Sequence, residues 1–178
     1  MSQSENLCSL RWDPQQQVAE VIDQTLLPHT LRWLQLDTLD AFCQAISSMQ
    51  VRGAPLIGIT AAYGLAAALS RDAATQQLEQ ARAALLATRP TAVNLRWALD
   101  EIAAAVLPLP PAERAQAALA RAHALRSEDI ANCARIGEHG LALLRNLKHG
   151  ETLHIMTHCN AGWLATIEWG TALAPVYA

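Results

Sequence analysis

Residues 56–69 read Leu-Ile-Gly-Ile-Thr-Ala-Ala-Tyr-Gly-Leu-Ala-Ala-Ala-Leu, so apolar side chains occupy nearly every face of a helix drawn through them. A helix without a polar stripe has no side to turn toward water, and other elements must wrap it. Gly58, Ala61, Ala62 and Gly64 let neighbouring backbones come close. The run is too short for a membrane span, because Thr60, Tyr63 and two glycines interrupt its apolar character. It therefore reads as the central helix of a core.

The wrapping elements are legible on both sides. Residues 9–22 read as a hairpin, with Leu10-Arg11-Trp12 and Val18-Ala19-Glu20-Val21-Ile22 flanking the turn-forming Asp13-Pro14. Residues 31–36 alternate with period two and predict a third strand. Asp37-Thr38 caps a helix over 39–49, where Phe42, Ala45, Ile46 and Met49 form one stripe. An amphipathic helix is expected over 72–86 and a further helix over 92–106. Pro108, Pro110 and Pro111 then break the chain, and 112–147 is largely helical with a break near Ser127. Glu128, Asp129 and Asn132 read as a solvated face, with polar contacts as the alternative, and Gly137 with Gly140 as a close helix contact. Gly150 is the expected domain boundary.

Three turns carry the chemistry. In Arg52-Gly53-Ala54-Pro55 the proline suits a first helical residue, and an arginine beside free helix N–H groups is a candidate anion site; a plain helix cap with a surface arginine is the alternative. Arg89-Pro90-Thr91 repeats that logic before the next helix, so the two turns are candidates to converge on one phosphate. Alternatively Arg89 only caps the carbonyls of the preceding helix. The third is Thr152-Leu153-His154-Ile155-Met156-Thr157-His158-Cys159-Asn160-Ala161-Gly162. It reads as a strand buried on both faces, then a turn into a helix over 162–173. That puts Cys159 at the carboxyl end of a strand, where ligands bind in open α/β sheets, and before a helix N-terminus that favours thiolate. The everyday role of a cysteine is a small buried hydrophobe, and the position shifts the reading of Cys159 toward function. His158 is not taken as its base, since neighbours on a strand point to opposite faces.

Composition excludes several classes. Apolar residues make up 52% and charged residues 16%, which fits a folded chain. The formal net charge of −3 gives no basic excess for nucleic acid or an acidic membrane. The first six residues lack the basic and apolar regions of a signal peptide. Cys8, Cys43, Cys133 and Cys159 show no C-x-x-C spacing, so they read as reduced cytosolic thiols with neither a disulfide frame nor a metal site. One strand and one helix after Gly150 do not make a domain. The expected fold is α/β: a small β-rich segment and helical bundle over 1–150, then the first strand-helix unit of a Rossmann-like parallel-sheet domain over 151–178, with the remainder outside this sequence.

Four motifs together resemble the methylthioribose-1-phosphate isomerases. They are Ile22-Asp23-Gln24-Thr25-Leu26-Leu27-Pro28, Val51 to Ile59 with Ala61-Ala62-Tyr63-Gly64, Arg89 to Leu95 with Trp97-Ala98, and Thr157 to Gly162 with Leu164-Ala165-Thr166 and Gly170 to Leu173. The wider superfamily includes ribose-1,5-bisphosphate isomerases and the regulatory subunits of translation initiation factor 2B. The resemblance implies a cofactor-free aldose–ketose isomerisation in methionine salvage, from 5-methylthioribose 1-phosphate to 5-methylthioribulose 1-phosphate. It implies that Arg52, Gly53 and Ala54 contact substrate, that Arg89 helps hold the phosphate, and that Cys159 is catalytic. The partner aspartate lies beyond residue 178, so residues 1–178 alone are expected to be inactive. A cytoplasmic homodimer acting on a small sugar phosphate is implied for the full length. A non-catalytic regulatory subunit binding a phosphorylated ligand and a ribose-1,5-bisphosphate isomerase are the alternatives, and a redox-sensing thiol is the alternative for Cys159.

Overall fold

The computed structural model describes residues 7–147 and 152–178. A small antiparallel sheet leads into a bundle of helices, an α/β arrangement in which helix dominates. Strands β1 (Leu10–Asp13), β2 (Val18–Ile22) and β3 (Trp33–Leu36) lie in the order β1-β2-β3. Asp13 builds the hairpin turn: its Oδ1 accepts from the N–H of Gln15 at 2.8 Å and of Gln16 at 3.1 Å. Those donors hold its carboxyl below the ordinary carboxylate range. Leu10 lies opposite Val21, and Ala19 opposite Leu36, so one sheet face carries a buried apolar row into the core shared with the helices. On the other face Arg11 pairs with Glu20 at 2.6 Å and covers the Trp33 ring at 4.1 Å.

Helix α1 (Leu39–Ser47) starts where expected, the Thr38 hydroxyl accepting from the Ala41 N–H. Met49 leaves the predicted stripe. The N–H of Ser48 closes on Gln44 O and that of Met49 on Ile46 O, which ends the helix with Met49 at φ 61 and half exposed.

Helix α2 (Ala54–Arg71) is the wrapped helix anticipated from its composition, buried along nearly its whole length. Helices α1, α3 (Thr75–Thr88), α4 (Val93–Val106) and α5 (Pro111–Asn146) all pack on it. Fully buried Leu56, Leu65 and Leu69 each stabilise the fold by about 1.5–3 kcal/mol. Gly58 sets the approach of α4, because a Cβ there would lie 2.7 Å from the Asn94 carbonyl oxygen. The first turns of α2 and α4 are therefore neighbours.

Helix α5 runs 36 residues without the break expected near Ser127. No glycine or proline sits there to break it. Arg121 spans the place, donating from Nη1 to Glu128 and from Nη2 to Glu101 of α4, both at 2.7 Å. No described helix is long and apolar enough to cross a membrane.

The last segment departs from expectation. The boundary placed at Gly150 lies outside the described residues. The strand predicted over 153–157 is not formed: residues 152–160 are irregular and exposed, with Met156 98% exposed. A strand needs a ladder, and the described strands are all committed to the antiparallel sheet. Instead of a helix over 162–173, the chain makes a 3-10 turn at Trp163–Ala165 and a short α6 (Ala174–Tyr177). Helix α6 seats on α5 where Gly137 and Gly140 leave room; a Cβ on Gly140 would collide with the Pro175 ring. Those two glycines make the close contact read from the sequence.

Candidate functional site

Three segments meet around a cleft of about 350 Å³. One is the turn after β2, contributing Gln24, Leu27 and Pro28; another is Arg52, before α2; the third runs from Asn160 to Ala165. Asp23 organises the first segment, its carboxylate accepting from the Thr25 N–H at the start of a 3-10 turn, Gln24–Leu26. Gln24 then ties all three together. Its backbone N–H donates to Gln50 O at 3.0 Å, and its Nε2 donates to Leu164 O at 2.7 Å. In the sequence Gln24 was only one letter of a motif, and nothing there identified it as the clasp of the cleft.

Gly53 joins the second segment to the third. It precedes α2 at φ 96 and ψ 137, a conformation that side chains strongly disfavour. Its face lies directly on the Trp163–Ala165 turn, where a Cβ would lie 2.4 Å from the Ala165 Cα. Pro55 occupies the first turn of α2 as predicted. The result is an exposed Arg52 guanidinium beside a helix start whose first N–H groups have no intrahelical partner.

The other predicted residues are distributed less simply. Ala54 is exposed at the start of α2 without lining the cleft. Arg89 is half-buried at the end of α3 and does not line the cleft either. Its turn leads into α4, whose start abuts that of α2 at Gly58. The two arginine-bearing turns thus lead into adjacent helix starts, while only Arg52 borders the cavity. The last turn of α3 is closed by Thr88, whose hydroxyl donates to Leu85 O at 2.6 Å.

Cys159 is exposed and at φ 65, adjacent in sequence to the cleft-lining Asn160 but not itself lining the cleft. The helix N-terminus expected to favour its thiolate is absent, since a three-residue 3-10 turn follows in its place. The other thiols are sheltered. Burial raises the pKa of Cys8 and Cys43, and Cys133 is pushed up to about 11 by burial and then by the charge of Asp129. Thiolate is the reacting form, so raised values slow alkylation. Brief iodoacetamide treatment at neutral pH, followed by peptide mass mapping, is therefore expected to label Cys159 first and Cys133 last. Labelling of Cys133 ahead of Cys159 contradicts this geometry.

Among the described residues no three His, Cys, Asp or Glu side chains cluster to hold a metal ion. The arrangement offers an arginine beside a helix start in the wall of one cleft, with a thiol adjacent in sequence to the cleft-lining Asn160.

Comparison with known proteins gives a family. The initiation factor 2 subunit family matches residues 50–175. The methylthioribose-1-phosphate isomerase of Dechloromonas aromatica (strain RCB) is 56% identical over 172 residues, covering 96% of this chain and 48% of that protein. That of Methylorubrum populi is 55% identical over 159 residues, covering 88% and 44%. Among solved structures, 5-methylthioribose 1-phosphate isomerase from Pyrococcus horikoshii OT3 superposes with a TM-score of 0.81 at 33% identity, over 97% of this chain and 49% of that one. Translation initiation factor eIF-2B subunit delta from A. fulgidus gives a TM-score of 0.81 at 35% identity, over 96% and 50%. The chain spans about half the length of the curated relatives it matches. With most of its length inside the family match and its fold shared with both solved relatives, the chain belongs to the initiation factor 2 subunit family.

Proposed function

We propose that the protein carrying this chain converts 5-methylthioribose 1-phosphate to 5-methylthioribulose 1-phosphate, with residues 1–178 supplying one bank of the active site. The observation that carries this reading is the cleft in which the Arg52 turn faces the Asn160–Ala161 turn beside Cys159. The identity to proteins named as that isomerase, 56% for the first, favours it over a regulatory subunit, for which the A. fulgidus chain speaks at 35%.

The chemistry asks for little apparatus. Phosphate on the anomeric oxygen prevents simple opening to a free aldehyde, so ring opening needs an acid. Hydrogen then leaves C2 and arrives at C1, which requires an acid/base partner at those carbons. Arg52, with the N–H groups at the α2 start, holds the phosphate, and Arg89 adds its charge from the neighbouring turn. Gly53 and Ala54 let backbone come close to the sugar. Phosphate fixed on one bank sets C1 and C2 against the other, where the Cys159 thiol shuttles a proton. A carboxylate from outside residues 1–178 completes the pair, so this chain alone is inactive.

The same reading carries finer statements. Residues 1–150 form one domain and 151–178 open a Rossmann-like one, in which 153–157 gains neighbouring parallel strands. The full-length protein is a cytoplasmic homodimer. The test is turnover by full-length protein in D2O. Ketose phosphate forming from 5-methylthioribose 1-phosphate supports the isomerase, and deuterium at C1 assigns proton rather than hydride transfer. Binding of the sugar phosphate with no product refutes it and leaves the regulator.

A further inference from the structure

The cleft wall formed by the Trp163–Ala165 turn is followed by a strap, residues 166–170, that is anchored far away in sequence. Ile167 is fully buried in the common core, and the backbone around it is pinned on several sides. The Ser9 N–H donates to Ile167 O at 3.0 Å, and the Ser9 hydroxyl donates to Thr166 O. The Thr166 hydroxyl donates to Glu168 O at 2.7 Å and accepts from the Gly170 N–H at 3.1 Å. From α5, the Asp129 carboxylate accepts the Ile167 N–H at 2.9 Å. This corrects the reading of Asp129 as part of a solvated face; Glu128, paired with Arg121, and Asn132 are exposed as expected.

We infer that Asp129 is a positioning residue. By accepting the Ile167 N–H it holds the Trp163–Ala165 turn against Gly53, and so fixes the bank of the cleft opposite Arg52. Ala165, two residues before Ile167, is the residue that Gly53 touches. Leu164, three before, receives the Gln24 clasp. The long helix thus determines where the wall stands, although it does not line the cleft. Burial holds the Asp129 carboxyl above its ordinary range, and the hydrogen bond from the Ile167 N–H draws it back down. An amide in its place keeps an acceptor oxygen.

The inference rests on the isomerase reading for its kinetic test but not for its structural one. Asp129→Ala and Asp129→Asn are made in the full-length protein, with Asp129→Ser in reserve should the alanine variant not fold. In the alanine variant, amide hydrogen exchange over residues 163–170 is expected to accelerate about tenfold or more, while α2 stays protected. KM for 5-methylthioribose 1-phosphate is expected to rise about tenfold with kcat within about twofold, because binding geometry loosens while the reacting groups remain. The asparagine variant restores both. Unchanged exchange in the strap overturns the inference, as does protection lost evenly over α2 and α5 with KM unchanged, or an asparagine variant as impaired as the alanine. A wild-type protein without turnover sinks the isomerase reading, and the exchange measurement still decides Asp129.

Discussion

Cys159→Ser in the full-length protein is expected to lower kcat for 5-methylthioribose 1-phosphate by about 10²- to 10⁴-fold, the usual worth of one positioned proton-transfer group. The serine hydroxyl fits the same space but gives up and takes back a proton far less readily near neutral pH. KM should stay within about threefold, because in the proposed site Arg52 and the start of α2 hold the phosphate independently of the sulfur. Thermal stability should be unchanged, since the side chain is exposed and no packing is lost. Steady-state kinetics with a parallel melting curve separates these effects. Full activity in the serine variant removes Cys159 from the reaction and leaves it as a redox-sensitive surface thiol.

Gly53→Ala is expected to damage both fold and site. Two costs act together. The backbone at φ 96 and ψ 137 is strained for any residue with a side chain, at about 1–3 kcal/mol. The new Cβ would also lie 2.4 Å from the Ala165 Cα and 2.5 Å from its carbonyl oxygen, so a backbone, not a flexible side chain, must retreat. A combined loss of about 3 kcal/mol lowers Tm by roughly 6–12 °C in a domain of this size. The retreat also separates Arg52 from the opposite bank, so KM should rise by about tenfold or more. Ala165→Gly added to Gly53→Ala removes only one of the colliding atoms and is expected to restore little. A Gly53→Ala protein melting within about 2 °C of wild type, with unchanged KM, would show that the turn is looser than described.

How much the sequence revealed depends on whether a signal is local. The burial of α2, the Thr38 cap, the hairpin at Asp13 and the proline at the start of α2 are decided by residues within one or two turns, and they were readable. The segment over 153–157 was not. Its apolar, β-branched character records a preference for being covered, and it carries no information on whether a neighbouring strand is present. Asp129 failed for the opposite reason. In Ser127-Glu128-Asp129 the residue types are all polar, and only the arrival of the Ile167 N–H, 38 positions later, distinguishes Asp129 from Glu128. For the site, the make-up of the Arg52 turn was legible in its residue types, whereas its meeting with the Asn160 turn at one cleft comes from the structure. The clasp by Gln24 was not, because an amide reaching a distant carbonyl leaves no periodic trace. Arg89 was expected at the same phosphate; its turn leads into α4, and its side chain does not line the cavity. Spacing along a chain fixes which helix starts are candidates and leaves their side chains' reach undetermined.

Leu153, Ile155 and Met156 stand in water on a stretch, 152–157, that contains no Asp, Glu, Lys, Arg or Pro. Such a ribbon has sticky side chains and backbone groups open to any similar strand. The consequence is colloidal. At high concentration these 178 residues on their own are expected to attract one another through that ribbon, while the well-packed bundle beside it stays folded.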